Sequence, residues 1–247
     1  MSGTCIQHAT FPVPVFGITW PDSGEFNQQL ETVILREQKA DPGIVRSNVD
    51  SWHSSDKLLL GQEQWQIALR KRIKEVLTPA IVGKAVEGQE LFDGWSVYGW
   101  ANVNPSGGSN RPHVHPDSIW SGVYYVSDCS AIDGGDIIFS DSACIPVPKH
   151  ASGQSFREFR IKPEAGQMLL FPSTLIHRVD PHQSSTPRIS VAFNLSHESW
   201  ELASAPWVDW KSFLWMHLPE FASKCTRWKQ NALSAVGVKR ASTAAPL

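Results

Sequence analysis

Residues 111–126 read RPHVHPDSIWSGVYYV, joining two histidines and a carboxylate, His113, His115 and Asp117, to a strand-like run that begins at Trp120. Valine, isoleucine and the aromatics favour the pleated surface of a strand. On an extended chain, residues two apart point to the same side, so His115 and Asp117 can present an imidazole nitrogen and a carboxylate oxygen to one metal ion. Later, in the run FPSTLIHRVDP, His177 directly follows an apolar strand that can return it to the same place. Two histidines and one carboxylate leave three positions of an octahedral ion open, the arrangement with which non-haem Fe(II) oxygenases bind a co-substrate and dioxygen together. An HxD pair alone is equally a solvated turn, and the distal residues are what give it weight.

Arg188, Ile189 and Ser190 come next along the chain. On a strand, Arg188, Ser190, Ala192 and Asn194 share one face. A guanidinium fork suits a carboxylate in a bidentate pair, and a neighbouring hydroxyl adds one further hydrogen bond. A dicarboxylate fits this description. If one end of 2-oxoglutarate meets Arg188 and Ser190, its 2-oxo acid end reaches an ion near His177 and fills two of the open positions. The competing reading makes Arg188 a surface residue beside Pro187.

The segments HVHPDSIWSGVYYV, GGDIIFSD, AGQMLLFPSTLIHRVDP and PRISVAFN, in that order, resemble the Fe(II)- and 2-oxoglutarate-dependent oxygenases, and more narrowly a bacterial and phage group of 2OG-Fe(II) oxygenases. SNVDSWHSSDKLL at Ser47–Leu59 is similar to the same group, and the resemblance covers residues 8–197. It implies a double-stranded β-helix, iron held by His115, Asp117 and His177, and 2-oxoglutarate held by Arg188 with Ser190. It also implies that a substrate is hydroxylated or otherwise oxidised with O2 as 2-oxoglutarate becomes succinate and carbon dioxide. The sequence offers an HxH pair, His113 and His115, as well as HxD. Asp117 is preferred because ferrous oxygen chemistry usually uses one anionic ligand, which leaves His113 to touch a ligand or the substrate from the same face. Strand alternation sends either Tyr124 or Tyr125 inward, and Tyr124 is taken as a partner of the co-substrate carboxylate, with core packing as its competing role. Asn104 shares a face with Asn102 and is placed beside the co-substrate, a turn before Pro105 being the simpler account.

Outward from this centre, strand-like runs lie at Trp95–Val103, Trp120–Val126, Ile137–Ser140, Phe156–Ile161, Met168–Phe171 and Arg188–Leu195, divided by Gly, Pro, Asn and Ser. Phe11–Trp20 carries two prolines and reads as an edge strand. Glu25–Lys39 reads as helical, and from Glu63 the residues Trp65, Leu69, Ile73, Val76 and Leu77 form one helical stripe. The expected fold is mainly β with flanking helices, a jelly roll of the cupin-like kind. One oxygenase domain spans 1–235, with a β-helix core at 91–197, a helical buttress at 24–86, a carboxyl-terminal helical region at 207–231 and a flexible tail at 236–247. The stretches 107–110 and 141–155 read as loops beside the entrance.

The 247 residues are 41% hydrophobic and 19% charged, enough for a substantial core. Twenty-two basic side chains against 24 acidic ones leave a net charge of -2, which gives no broad attraction for nucleic acid or an anionic membrane. The early apolar run is broken by Pro12 and Pro14 and lacks a basic start, so a cytoplasmic protein is expected. The four cysteines form no CxxC pair and suggest neither zinc nor a disulfide framework. A small-molecule substrate is expected, with a homodimer through the Trp-rich carboxyl-terminal region. Two rival readings stand beside this one: a cupin-like metalloprotein using His113, His115 and His177 without a keto acid, and a non-enzymatic β-sandwich that binds a ligand.

Overall fold

Alternation along two long strands sets the architecture. The computed structural model describes residues 13–81, 90–129, 133–140 and 158–198, together with a short strand near the carboxyl terminus. In chain order the elements are β1 (Phe16–Thr19), α1 (Gly24–Ala40), β2 (Asn48–Val49), β3 (Trp52–His53), α2 (Gln64–Ile81), β4 (Trp95–Asn104), β5 (Ser109–His113), β6 (Trp120–Tyr125), β7 (Ile137–Ser140), β8 (Glu158–Ile161), β9 (Gln167–Pro172), β10 (Ile176–Val179), β11 (Arg188–His197) and β12 (Ala245–Pro246). The first sheet runs β1-β9-β6-β11-β4-β12 with β3 also on β4, and the second runs β2-β5-β10-β7-β8. Every ladder between these strands is antiparallel, and sequence-distant strands interleave in both sheets, as in a double-stranded β-helix.

On β4 the residues Val97, Ala101 and Val103, and on β11 Ile189, Val191, Phe193 and Leu195, belong to one buried cluster with the stripes of α1 and α2. This is the outer face of the first sheet. The expected α2 stripe is buried, and Leu69, Ile73, Val76 and Leu77 are each wholly enclosed, contributing about 1.5–3 kcal/mol apiece. The inner face divides in two. Val123, Tyr125, Leu169 and Phe171 meet Ile137 and Phe139 in a second apolar cluster, while β4 and β11 carry buried Asn102, Asn104, Arg188, Ser190 and Asn194 on the side facing away from the helices. A polar lining opposite β5 and β10 follows from this parity.

Ser109 and Asn110, expected in a loop, begin β5 instead, and β10 lies inside FPSTLIHRVDP. Within 236–247, expected as a loose tail, Ala245 and Pro246 pair with Val97 and Ser96. The expected helical region at 207–231 and the loop at 141–155 lie outside the described residues. Among the described residues, no helix is long and apolar enough to cross a membrane.

The sheet edges are short or charged. On the outer side of β4 lie β3, a single bridge from Lys57 to Gly99, and β12. β2 has two residues and β1 starts just after Pro14. At the edge strand β8, Glu158 and Arg160 pair with Arg178 and Asp180 at 2.6–3.2 Å. Such exposed pairs each add at most about 1 kcal/mol.

Candidate metal centre

β5 and β10 are paired with His113 opposite His177, so two imidazoles leave the second sheet side by side, their ring centroids 4.3 Å apart. The chain then leaves the ladder. His115 is held by its own backbone N–H, which donates to the Ser173 carbonyl at 2.8 Å, and its ring lies 4.9 Å from that of His113 and 5.2 Å from that of His177. One ligand nitrogen from each of the three lies within 4.8 Å of the others. All three can reach one ion.

Asp117 is not in this group. It sits exposed in the turn formed at Pro116, with its carbonyl accepting a hydrogen bond from Ser196 Oγ at 3.3 Å. The HxD expectation is therefore corrected, for a physical reason: alternation pairs residues 115 and 117 only on an extended chain, and this chain turns after His115. The near pair is HxH.

The donor set suits a divalent ion. His113 Nδ1 donates to the Arg111 carbonyl at 2.7 Å and His177 Nδ1 to the Leu175 carbonyl at 2.9 Å. A carbonyl only accepts, so each Nδ1 carries the proton and each Nε2 keeps its lone pair. Ser47 Oγ, 3.4 Å from His113 Nε2, can donate to that lone pair. Burial lowers the pKa of His113. Burial, then the neighbouring His113 and His53, pushes His115 down to about 4. Burial, then His113, pushes His177 down to about 3. Neutral imidazoles are the form that binds a metal.

Aromatic rings enclose the cluster. Phe171 lies 4.8 Å from His177, and Trp100 lies 5.6 Å from His115. Trp100 is in turn stacked on buried His53, at 5.3 Å and an interplanar angle of 10°. The spacing of the histidines gave no reason to place His53 here, although the stretch SNVDSWHSSDKLL was one of the resemblances.

Arg188 is 2% exposed. Its Nε donates to the Gly135 carbonyl at 3.1 Å, its Nη1 donates to Ser190 Oγ at 3.2 Å, and its guanidinium lies 5.1 Å from the centre of the Tyr125 ring. Among the described residues no carboxylate pairs with it. A buried cation without a counter-ion is costly, so this place suits an anion. Ser190 accepts from Arg188 and keeps its own O–H to donate. Gly134 precedes the residue whose carbonyl accepts from the arginine; its φ is +78°, and a Cβ there would lie 2.0 Å from the Pro181 carbonyl oxygen.

The two tyrosines are exchanged relative to expectation. Tyr125 faces inward beside Arg188, and burial pushes its pKa up to about 12, which keeps the hydroxyl a donor. Tyr124 faces the helices: its hydroxyl donates to Asn27 Oδ1 at 2.6 Å and accepts from Arg72. The Arg72 guanidinium also covers the rings of Trp20, Phe26 and Tyr124 at 5.0, 4.2 and 5.3 Å. The sequence could not settle this, because all six residues of β6 are buried and no polar position marks the solvent side. Tyr124→Phe should therefore cost about 1–3 kcal/mol by stranding buried partners, read as a lower melting temperature, with no change in the affinity for 2-oxoglutarate. A weakened affinity at unchanged stability would return Tyr124 to the co-substrate.

Asn104 is fully buried, and its Nδ2 donates to Ser51 Oγ at 3.0 Å and to Asn110 Oδ1 at 3.2 Å. It ties β4 to the chain entering β3 and to β5. His182 Nε2 donates to the Asn104 carbonyl at 2.9 Å, its Nδ1 being the acceptor for the Ser184 N–H, which makes His182 a structural pin.

Residues 98–194 match the model of a family described as "Putative 2OG-Fe(II) oxygenase". Among solved structures, the chain is similar to a prolyl-4-hydroxylase of Pseudomonas putida, with a TM-score of 0.50 and 16% identity over 75% of this chain and 93% of that one. It is similar also to the non-haem α-ketoglutarate-dependent epimerase SnoN of nogalamycin biosynthesis, at 0.55 and 10% over 75% and 79%. HygX of Streptomyces hygroscopicus, solved with nickel, 2-oxoglutarate and hygromycin B, gives 0.52 and 12% over 76% and 84%. No curated protein matches. At these identities the structural likenesses speak for the fold, and the segment that is similar to the 2-oxoglutarate-dependent non-haem iron oxygenases contains His113, His115 and His177, the three histidines that lie together, and Arg188.

Proposed function

We propose that the chain hydroxylates a C–H bond of a small-molecule substrate, with Fe(II) on His113, His115 and His177 and 2-oxoglutarate anchored by Arg188 and Ser190. The observation that carries this reading is the buried Arg188 guanidinium, which has no carboxylate partner among the described residues and lies on the same lining as the ring that touches His115. When bound, iron and 2-oxoglutarate supply the oxidising power for an unactivated C–H bond, the keto acid ending as succinate and carbon dioxide.

The protein's part is placement and protection. Arg188 and Ser190 bind one carboxylate of the keto acid and set its direction. The carbonyls of Arg111 and Leu175 hold two Nδ1 protons, so both rings keep Nε2 available. Phe171, Phe139 and Trp100 limit water around the histidines. The substrates named for the structural neighbours belong to those proteins, and for this chain an amino acid, a cyclic peptide or a natural-product intermediate is proposed.

A screen of amino acids, cyclic peptides and small metabolites for succinate release tests the reading. A productive substrate should release succinate in step with oxidised product, and only with Fe(II), 2-oxoglutarate and O2 all present. Oxidation of a substrate that consumes no 2-oxoglutarate and survives Arg188→Ala would favour the cupin-like alternative on the same three histidines.

A further inference from the structure

The inner face of the first sheet is laid out in rows, because β4, β11 and β6 are paired in register. Asn104 lies opposite Arg188; Asn102 lies opposite Ser190, which lies opposite Tyr125; Trp100 lies opposite Ala192, which lies opposite Val123. Same-face rows are about 7 Å apart along a strand. Asn102 therefore occupies the row between the anion anchor and the tryptophan that contacts His115.

Asn102 is 8% exposed, and its neighbours Ala101 and Val103 point into the helix-side cluster, which sets its own side chain on the inner face. Its Oδ1 is buried without a hydrogen-bond partner, and no described residue engages its amide nitrogen. A buried amide left unpaired costs about 1–3 kcal/mol, and natural structures keep few of them. Asn104 also has an unpartnered Oδ1. Its orientation, however, is fixed, since its Nδ2 already serves Ser51 and Asn110. It can offer only an acceptor, which a dianion made of acceptors cannot use. No hydrogen bond from a described residue fixes the Asn102 amide, which can turn Nδ2 toward a ligand.

We propose that Asn102 is a positioning residue for 2-oxoglutarate, donating from Nδ2 to the keto acid between its Arg188 end and its three-histidine end. This rests on the reading of Arg188 as the anchor. The keto acid brings acceptors alone, and Asn102 is the amide in that row with a donor to spare.

Calorimetric titration of 2-oxoglutarate into the nickel-loaded protein, paired with thermal melting of the ligand-free protein, tests it. Asn102→Ala should bind about tenfold more weakly, the loss of one hydrogen bond to a charged group. Asn102→Asp, nearly the same shape but anionic, should bind about a hundredfold more weakly. Neither should lower the ligand-free melting temperature, whereas Asn104→Ala should lower it. If either Asn102 variant is too unstable to titrate, Asn102→Ser takes its place. Affinities within about twofold of the parent would overturn the role of Asn102 while leaving the anchor intact, as would a weakening matched by an equal loss of melting temperature. A parent protein that takes up nickel but shows no binding of 2-oxoglutarate would overturn the functional reading beneath it.

Discussion

Arg188→Met should weaken the binding of 2-oxoglutarate by at least about a hundredfold while leaving the ligand-free protein as stable as the parent or more stable. The two halves have one cause. Arg188 is 2% exposed, and its guanidinium is held by two neutral acceptors and by no carboxylate among the described residues. Removing a buried charge is strongly destabilising where it leaves an opposite charge uncompensated, and among the described residues Arg188→Met leaves none, while it relieves the cost of burying the guanidinium. A carboxylate of the ligand, in contrast, would lose two charge-assisted hydrogen bonds of about 1.5–3 kcal/mol each, an affinity loss of about a hundredfold to ten-thousandfold. Calorimetry of 2-oxoglutarate with thermal melting of the ligand-free variant checks both halves. Binding within about tenfold of the parent would mean that the anion seat lies elsewhere.

The second large effect separates two neighbours in sequence. His113→Ala should release the metal, and Asp117→Asn should keep it. Each imidazole is one of only three protein donors, and even residues that merely orient a ligand change metal affinity by about 10–100-fold, so losing His113 itself should cost more than about a hundredfold. Asp117 stands exposed in the turn, outside the cluster of nitrogens. Equilibrium dialysis against Fe(II) under nitrogen, followed by metal analysis, gives the comparison directly. The reverse pattern, with Asp117→Asn releasing the ion and His113→Ala retaining it, would reinstate the HxD pair.

What could be read from the residues alone depended on whether a stretch had one buried face or two. The α2 stripe and the parity of Arg188 and Ser190 were legible because apolar and polar positions alternate there at the period of the element. On β6 both faces are buried, so the choice between Tyr124 and Tyr125 had no polar position to rest on. The strands β5 and β10, SNRPH and IHRV, carry little apolar pattern, and their pairing is a matter of backbone register. That register brings His113 to His177. Pro116 decided the ligand set, since one turn removes a carboxylate from the face on which alternation would have put it. His53 reaches Trp100 through a strand of two residues, below the length at which periodicity says anything.

The treatment of the strand margins bears on self-association. A second copy that tried to extend either sheet would meet a two-residue strand, a strand that starts just after a proline, or a margin bearing both signs of charge, none of which offers a long flat template for continued pairing. Among the described residues, growth of either sheet into a fibril is disfavoured while the native fold persists.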